Sequence, residues 1–575
     1  MPEKDRLPRR PSLDPDALFE EAQRGGPNAA AAARLAGALA ERDDPWLARK
    51  ALTLVLSLEP RDSAPRLALA RLHAEAGDLD AARTEAALVL KDAVDETARA
   101  RAAFMLGEIA RFQGDPRARE FYETTLRIED ALLARDRSDA VAARWYARAC
   151  GRLAELDARE QQFERARTGA EGALAMLYGC ASQVGETPPI AADIADAEMR
   201  LAAFDLDNGN PNQARRRLNA AIQRYEALAI TETDEPHWRA VLADAWALAA
   251  EADYLRAARG EARAAMDKAL QARLKLASDH GEAWSLAGTW RVRAALLSAI
   301  DEPTGATESL QHARLLAERL YSQSHGSEPQ ARFLVHTMLD QADHALRGRD
   351  IDLARDAADS ARKICEAFAS GDGAGAIWFA EAAACWDRLG EAARLAGREG
   401  AKAYDAFARA VEFRRIAQAA EPQNIRFKRN LAASLIKLGE AALDSASPQS
   451  ARAAFSESAS LRIHLAESAP NDAASAHMLA VALERLGLAA RACGDTLAAR
   501  AAWEEELDLV NRIFVDPESL EALRFRALVE AHLAGLGGAD ADARRRSALA
   551  RLDSLAQAGA LSEREAALRK RLWSA

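Results

Sequence analysis

The sequence predicts an all-α protein built as an open array of stacked helical hairpins, an α-solenoid. Three pairs of equivalent residues are each 48 residues apart: Pro422 with Pro470, Gly439 with Gly487, and Phe455 with Trp503. A fixed period of this size is the signature of a repeat array. Alanine, leucine, arginine and glutamate dominate while valine, isoleucine and threonine are sparse, which favours helices over strands.

An alanine early in the second helix of each hairpin marks the successive repeats. These alanines are Ala48, Ala82, Ala118, Ala166, Ala214, Ala265, Ala306, Ala354, Ala403, Ala451 and Ala499, with Ala543 as a weak twelfth. Their spacing changes from about 34 residues at the start to about 48 later, an increase of two helical turns in each arm. We therefore expect near-standard repeats over 17–130, extended repeats over 131–519, and capping helices over 520–575.

The first elements follow from local composition. Residues 1–16 are proline-rich and charged, which predicts a disordered tail. A helix is expected from Ala17 to about Ala40, interrupted at 25–27 by two glycines and a proline, and residues 45–60 carry a helical apolar stripe that a proline ends. In residues 67–90, two amphipathic helices flank a turn at Gly77, where glycine supplies the backbone freedom.

This helix–turn–helix pattern resembles the tetratricopeptide repeat, a 34-residue unit with a Leu-Gly pair in its first helix. Residues 104–126 resemble it most, with Leu106-Gly107, Gly114-Asp115 and Phe121 at the matching places. The 48-residue units resemble the extended repeats of bacterial proteins. The resemblance implies a right-handed superhelix of about twelve hairpins.

Glycine and aromatic residues are expected to hold the hairpins together. A glycine in the first helix permits close approach, and an aromatic residue in the second helix fills the space between consecutive hairpins. The glycines are Gly107, Gly390, Gly439 and Gly487, and the aromatic residues are Phe121, Phe407, Phe455 and Trp503.

Charge and cysteine content restrict the partners and the compartment. The net charge is −11 with both signs interspersed, which argues against nucleic acid because phosphate binding needs clustered cations. The N-terminus has no apolar core of a signal peptide, and no run is long enough to cross a membrane. Five scattered cysteines predict reduced thiols and a cytoplasmic protein; they are Cys150, Cys180, Cys365, Cys385 and Cys493.

Two patterns were tested as sites of chemistry. The glycine-rich segment 371–376 has neither the preceding strand nor the lysine that a phosphate-binding loop needs. His336, Asp340 and His344 lie one turn apart on one helix face, which makes them weak candidate metal ligands, but a polar helix face is the favoured explanation. No catalytic motif is present, so we expect no enzymatic activity and no cofactor.

The resemblance also implies a binding surface. In tetratricopeptide proteins the first helices line a concave groove that binds peptides or other proteins, with solvent-facing positions beside the Leu-Gly pair. The matching residues here are Arg71, Glu108, Arg111, Glu391, Arg394, Glu440 and Arg491. Their mixed signs differ from the basic groove that clamps a C-terminal carboxylate in the co-chaperone members of that family.

The expected function is therefore a non-enzymatic scaffold or adaptor that binds a protein or peptide. The alternative is a sensor that encloses a small ligand or peptide and controls a separate signalling, protease-like or transcriptional effector polypeptide. Such a sensor needs a contiguous aromatic pocket, for which the candidates are Trp284, Trp290, Trp378 and Trp386. The oligomeric state and the identity of the partner stay open at this point.

Overall fold

The structure is a computed structural model that describes residues 14–41, 44–160, 162–231, 236–280, 283–324, 326–371, 375–397, 400–468, 473–514, 516 and 519–574. These residues form α-helices joined by turns and contain no strand, which confirms the all-α prediction. The expected tail falls mostly outside the described residues, at 1–13. Its last part is ordered, because Asp14 accepts a hydrogen bond from Asp16 N–H and caps a helix that begins at Pro15.

The chain divides into two compact units, Met1–Glu282 and Ala283–Ala575. The repeat spacing does not predict this division, although the spacing of the alanine markers is irregular in the same region. The described helices of the first unit are α1 (Pro15–Gln23), α2 (Ala29–Ala40), α3 (Pro45–Leu58), α4 (Ser63–Glu75), α5 (Leu79–Asp92), α6 (Glu96–Phe112), α7 (Ala118–Arg135), α8 (Ala140–Arg159), α9 (Phe163–Val184), α10 (Pro188–Asp207), α11 (Pro211–Thr231), α12 (Pro236–Leu255) and α13 (Arg259–His280).

The second unit continues the same alternation of helices. Its described helices are α14 (Ala283–Ala299), α15 (Pro303–Gln323), α16 (Glu328–Arg347), α17 (Ile351–Ala369), α18 (Ala376–Leu395), α19 (Gly400–Ala420), α20 (Ile425–Asp444), α21 (Pro448–Ser468), α22 (Ala473–Ala492), α23 (Thr496–Ile513), α24 (Leu520–Ala534), α25 (Ala541–Gln557) and α26 (Glu563–Ser574).

Each even-numbered helix from α2 to α24 packs against the helix that follows it. Within the described part of the chain these pairs make twelve hairpins, in agreement with the predicted number. We call the even-numbered member of a pair the first helix and the odd-numbered member the second helix. The right-handed winding of the array stays a prediction.

Helix lengths explain the change of period. The hairpin of α4 and α5 has arms of 13 and 14 residues, whereas that of α20 and α21 has arms of 20 and 21. Both arms have gained two turns, so the face that packs in the hairpin keeps its position around the helix axis. The longer period is therefore a longer hairpin, as predicted.

Close contacts between a glycine and an aromatic ring join the first helix to the second helix in four hairpins. A Cβ atom at the glycine would lie within about 3 Å of ring atoms in each of four pairs: Gly107–Tyr122, Gly390–Phe407, Gly439–Phe455 and Gly487–Trp503. These rings are fully buried and also reach the next first helix, as where Trp503 stacks on His532 with centroids 4.8 Å apart. This is the packing expected from the resemblance to tetratricopeptide repeats.

One residue of that prediction is wrong. In the hairpin of α6 and α7 the ring opposite Gly107 belongs to Tyr122, and Phe121 is only partly buried. Phe407 follows its marker, Ala403, by the same number of residues as Tyr122 follows Ala118. The helical periodicity therefore selects Tyr122, because a shift of one residue turns a side chain by about 100° around the axis.

Buried arginine–aspartate pairs join consecutive hairpins of the first unit. The arginine follows the alanine marker of a second helix, and the aspartate lies near the end of the next first helix. The pairs are Arg119–Asp157 at 2.7 Å, Arg167–Asp205 at 3.1 Å and Arg215–Asp253 at 3.0 Å. The three aspartates are at most 4% exposed. Both the arginines and the aspartates recur at the repeat period of 48 residues. This recurrence is visible in the sequence and could have predicted the pairs.

The C-terminal region contains one helix more than expected. The sequence predicts two helices there, whereas the structure has α24 and α25 as a twelfth hairpin followed by the single helix α26. No residue of α26 is buried, but Leu568 and Leu572 pack against the buried leucines Leu523, Leu552 and Leu555. This arrangement covers the apolar end of the last hairpin, as an array requires.

Candidate interaction surface on the first helices

The proposed metal ligands share one face of α16 but have separate partners. His336 Nε2 lies 2.9 Å from Glu381 on α18, and Asp340 accepts hydrogen bonds from Arg291 on α14. Among the residues that the structure describes, no group of three His, Cys, Asp or Glu side chains could hold a metal ion. The arrangement is a set of ion pairs between neighbouring first helices.

His344 lies between two hydroxyl groups. Its Nδ1 is 3.0 Å from Ser298 Oγ, and its Nε2 is 2.9 Å from Thr307 Oγ1. Burial and the nearby Arg347 lower the pKa of His344. A neutral imidazole with both nitrogens engaged joins α16 to α14 and α15, so His344 helps to hold this part of the array together.

In the first unit, the predicted groove residues are engaged in contacts between helices. Glu108 accepts a hydrogen bond from Tyr122 Oη at 2.5 Å and from Arg152 Nε of α8 at 2.8 Å, and it also bonds Arg111. Burial opposes ionisation of Glu108, but Arg152, Tyr122 and Arg111 outweigh it and lower its pKa. Arg71 pairs with Glu41.

The same holds in the second unit, where ion pairs join each first helix from α14 to the next as far as α22. These pairs are Arg291–Asp340 at 2.6 Å, Arg388–Asp343 at 2.7 Å, Lys437–Glu391 at 3.4 Å, Arg394–Glu440 at 2.9 Å and Arg485–Glu440 at 3.1 Å. Arg491 lies over the ring of Trp503 at 5.5 Å. In each unit the predicted residues therefore already contact side chains of the same or neighbouring helices, and their role in partner binding stays a proposal.

A cavity of about 570 Å³ opens on this face in the second unit, over α14, α16 and α18. Its apolar lining is Ala294, Ala295, Leu310, Leu346 and Leu395, and its charged lining is Arg291, Asp340, Asp343, Arg347 and Glu391. Of these, Glu391 was predicted as a groove residue and Asp340 as a metal ligand. Arg347 makes no ion pair with any described residue, so its guanidinium is available to a bound molecule.

A smaller cavity of about 170 Å³ lies on the equivalent face of the first unit, between α6, α8 and α10. Phe104, Arg148, Arg152 and Arg200 are part of its wall. Gly151 makes room for the guanidinium of Arg200, since a Cβ there would lie 2.6 Å from Arg200 Nη1. The helices can therefore approach closely while a charged side chain crosses between them.

Trp145 contacts Phe104 and Arg148, two residues of the wall of this smaller cavity. The ring of Phe104 meets it edge-on at 5.2 Å, and Arg101 and Arg148 lie over it at 5.9 and 5.0 Å. Arg144 and Arg148 both donate to Asp193 through Nε. We call Arg101, Arg144, Trp145 and Arg148 the Trp145 cluster. Sequence reasoning missed it because its residues come from two repeats and match no motif.

The four tryptophans proposed for a sensor pocket do not come together. Trp284 packs on Phe333 and is 40% exposed, and Trp290 stacks on His312. Trp378 and Trp386 donate their indole N–H groups to Glu328 and Glu366, each within 3.0 Å; both help to pack the hairpins. The cavity of the second unit is lined by none of them.

Two further expectations concern the glycine-rich segment and the membrane. Residues 372–374 of the glycine-rich segment lie outside the described residues. In the described ranges, no helix combines the length and the apolar character needed to cross a membrane. All five cysteines have free thiols.

Comparisons with known proteins add little to this geometry. No protein-family model and no curated protein matches the chain. Similar solved structures include BtubC from P. vanneervenii (17% identity, 45% of this chain and 94% of BtubC, TM-score 0.35), the apo form of RapI (11% identity, 70% and 98%, TM-score 0.43) and yeast Tom70 (15% identity, 88% and 96%, TM-score 0.36). Similarity at this level supports no conclusion about function, which must come from the chain's own surfaces.

Proposed function

We propose that this protein is a cytoplasmic, non-enzymatic scaffold or adaptor that binds a segment of another protein on the face of its first helices. The observation that carries the proposal is the cavity of about 570 Å³ over α14, α16 and α18. Its lining combines apolar and charged side chains, the composition by which protein surfaces bind peptide side chains. Residues from three consecutive hairpins line it, so a partner in this cavity would contact several repeats at once.

The ion pairs between first helices support this function by holding the surface in shape. Each pair links two hairpins whose relative position decides the width of the groove. A surface that is rigid before binding loses less conformational entropy when a partner docks. We therefore assign Asp343, Arg394 and Glu440 mainly to positioning the binding surface. Direct contact with the partner is a secondary role of these residues.

A blocking substitution tests the proposal. Ala295 is exposed and lines the cavity, so Ala295→Trp would fill part of it without removing an ion pair. We expect proteins captured from the native host by the parent chain to be lost with this variant. Ala367→Trp, at an exposed position of the second helix α17, is the matched control and should capture them as before. Equal capture by both variants would contradict the proposal.

A sensor for a small ligand is a second candidate, because the same cavity has a volume typical of small-molecule sites. In that case a metabolite binds over α14, α16 and α18, and a separate signalling, protease-like or transcriptional effector reads the change. A thermal-shift screen with cell-extract metabolites distinguishes the two functions. A ligand that stabilises the parent but not Ala295→Trp would favour the sensor, whereas a captured protein without such a ligand would favour the scaffold.

A further inference from the structure

We propose that the Trp145 cluster binds an acidic segment of a partner protein, with carboxylates of the segment held by Arg101, Arg144 and Arg148 and an apolar side chain on Trp145. This inference rests on the proposed scaffold function and names the chemistry of one partner. It concerns the first unit, whereas the blocking substitution above concerns the second.

The first step is that these arginines have unused hydrogen-bond donors. Arg144 and Arg148 each donate to Asp193 through Nε alone, and their terminal nitrogens make no hydrogen bond with a described residue. Asp193 is 4% exposed and lies beneath them. Two guanidinium groups thus share the carboxylate of Asp193, while Asp196, which also lines the cavity, accepts a hydrogen bond from Tyr225 Oη.

Arg101 is a further cation of the cluster, and it lies over the ring of Trp145. It is exposed and forms neither a hydrogen bond nor an ion pair with any residue in the described ranges. Arg101 interacts electrostatically with the buried carboxyl group of Glu129. Burial and the negative charge of Asp139 raise the pKa of Glu129 to about 7, and Arg101 opposes this rise. A carboxyl group that is only partly ionised near neutral pH does not neutralise Arg101 fully, so the arginine keeps its charge for an external anion.

The other carboxylates of this face are occupied. Glu108 is bonded to Arg152 and Tyr122, and Glu155 is bonded to Arg152 and Arg200. Asp196 is bonded to Tyr225 Oη, and in the described ranges none of these three carboxylates forms an ion pair with the Trp145 cluster. Planar guanidinium groups with free terminal N–H groups bind carboxylates through two parallel hydrogen bonds, the strongest type of charge-assisted contact.

The ring of Trp145 indicates what accompanies the carboxylates. Phe104 meets it edge-on, the guanidinium groups of Arg101 and Arg148 lie 5.9 and 5.0 Å from its centroid, and the ring is only partly buried. The cavity of about 170 Å³ that Phe104 and Arg148 help to line is large enough for a single side chain. An amphipathic acidic segment, with an apolar residue between glutamates or aspartates, fits these groups.

Nucleic acid fits less well. A nucleic acid backbone needs a long track of cations, and here the three arginines are confined to one cluster on a chain whose net charge is −11. The overall field repels a long polyanion, while a short acidic segment needs only local contacts.

Labelled peptides test the inference with the full-length protein. The probe is a short peptide of alternating glutamate and leucine, compared by fluorescence anisotropy with the same peptide carrying glutamine in place of glutamate. We expect the glutamate peptide to bind about tenfold or more tightly, and Arg101→Gln or Arg148→Gln to weaken it by a similar factor. Affinity should also fall as salt concentration rises.

Arg216→Gln is the matched control, because Arg216 is an exposed residue of the second helix α11 without an ion pair in the described part of the chain. It should leave peptide affinity unchanged. Equal binding of the two peptides, or no effect of Arg101→Gln, would overturn the inference. Tighter binding of a single-stranded oligonucleotide that displaces the glutamate peptide would overturn it in favour of nucleic acid. If the peptide fails while Ala295→Trp still abolishes capture, only this inference is wrong.

Discussion

Replacing Glu129 with leucine should stabilise the protein, and the gain should depend on pH. Glu129 is fully buried in α7, and neither carboxylate oxygen has a hydrogen-bond partner. Burial and the negative charge of Asp139 raise its pKa from 4.5 to about 7. In the next two repeats the equivalent positions carry Leu177 and Tyr225, both buried, so leucine suits the site.

The size of the effect follows from linkage. A carboxyl group whose pKa is raised in the folded state binds its proton more tightly there than in the unfolded chain. The proton bound to Glu129 therefore contributes fully to the free energy of unfolding below the unfolded pKa near 4.5. This contribution is lost as the pH rises to about 7. This difference corresponds to about 3 kcal/mol between pH 4 and pH 8. Glu129→Leu removes that loss, so its advantage over the parent should grow by the same amount.

Urea unfolding of parent and variant at pH 4, 6 and 8 measures this difference, because pH effects elsewhere in the chain cancel. Hydrogen exchange at each pH then shows whether the gain is in α6 to α8. Glu120→Gln is the control, an exposed glutamate on the same helix, and should show no such trend. A stability difference that is the same at all three pH values would refute the reasoning.

Three other outcomes are expected. Trp503→Ala should lower the free energy of unfolding of the second unit by about 3–5 kcal/mol, measured by urea unfolding. The ring is fully buried between Gly487 of its own hairpin and the first helix of the next hairpin. Asp205→Ala should cost about 2–3 kcal/mol by the same assay, since it removes the buried carboxylate that Arg167 and Arg217 share and leaves them only Glu171 and Glu198. In alkylation followed by mass spectrometry, Cys493 should react before Cys365, because Cys493 is half-buried. Cys365 is buried, and a hydrogen bond with Cys385 together with burial raises its pKa.

Most of the fold could be predicted from the repeat period. The marker alanines predict the number of hairpins, and the change from 34 to 48 residues predicts their longer arms, because both depend on helical periodicity within one repeat. The position of a ring is less certain: Phe121 and Tyr122 are adjacent aromatics, and only the marker spacing decides between them. The division after residue 282 could not be predicted, since irregular spacing of the marker alanines does not by itself define a boundary between two compact units.

The candidate surface could be predicted only in part. Resemblance assigned Glu108, Glu391 and Glu440 to a groove lined by first helices; they belong to α6, α18 and α20, and their part in a groove stays a prediction. It could not show that basic residues of neighbouring repeats pair with them, because each partner is determined by the packing of two hairpins about 45 residues apart in the chain. The Trp145 cluster was missed for the same reason.

Hydrogen exchange on the complex with a captured protein tests the central claim most directly. If the first helices form the binding surface, partner binding should slow exchange in α14, α16 and α18, or in α6, α8 and α10, while the exposed faces of second helices such as α11 and α17 keep their rates. Slower exchange confined to the second helices, or no change in any first helix, would contradict the claim.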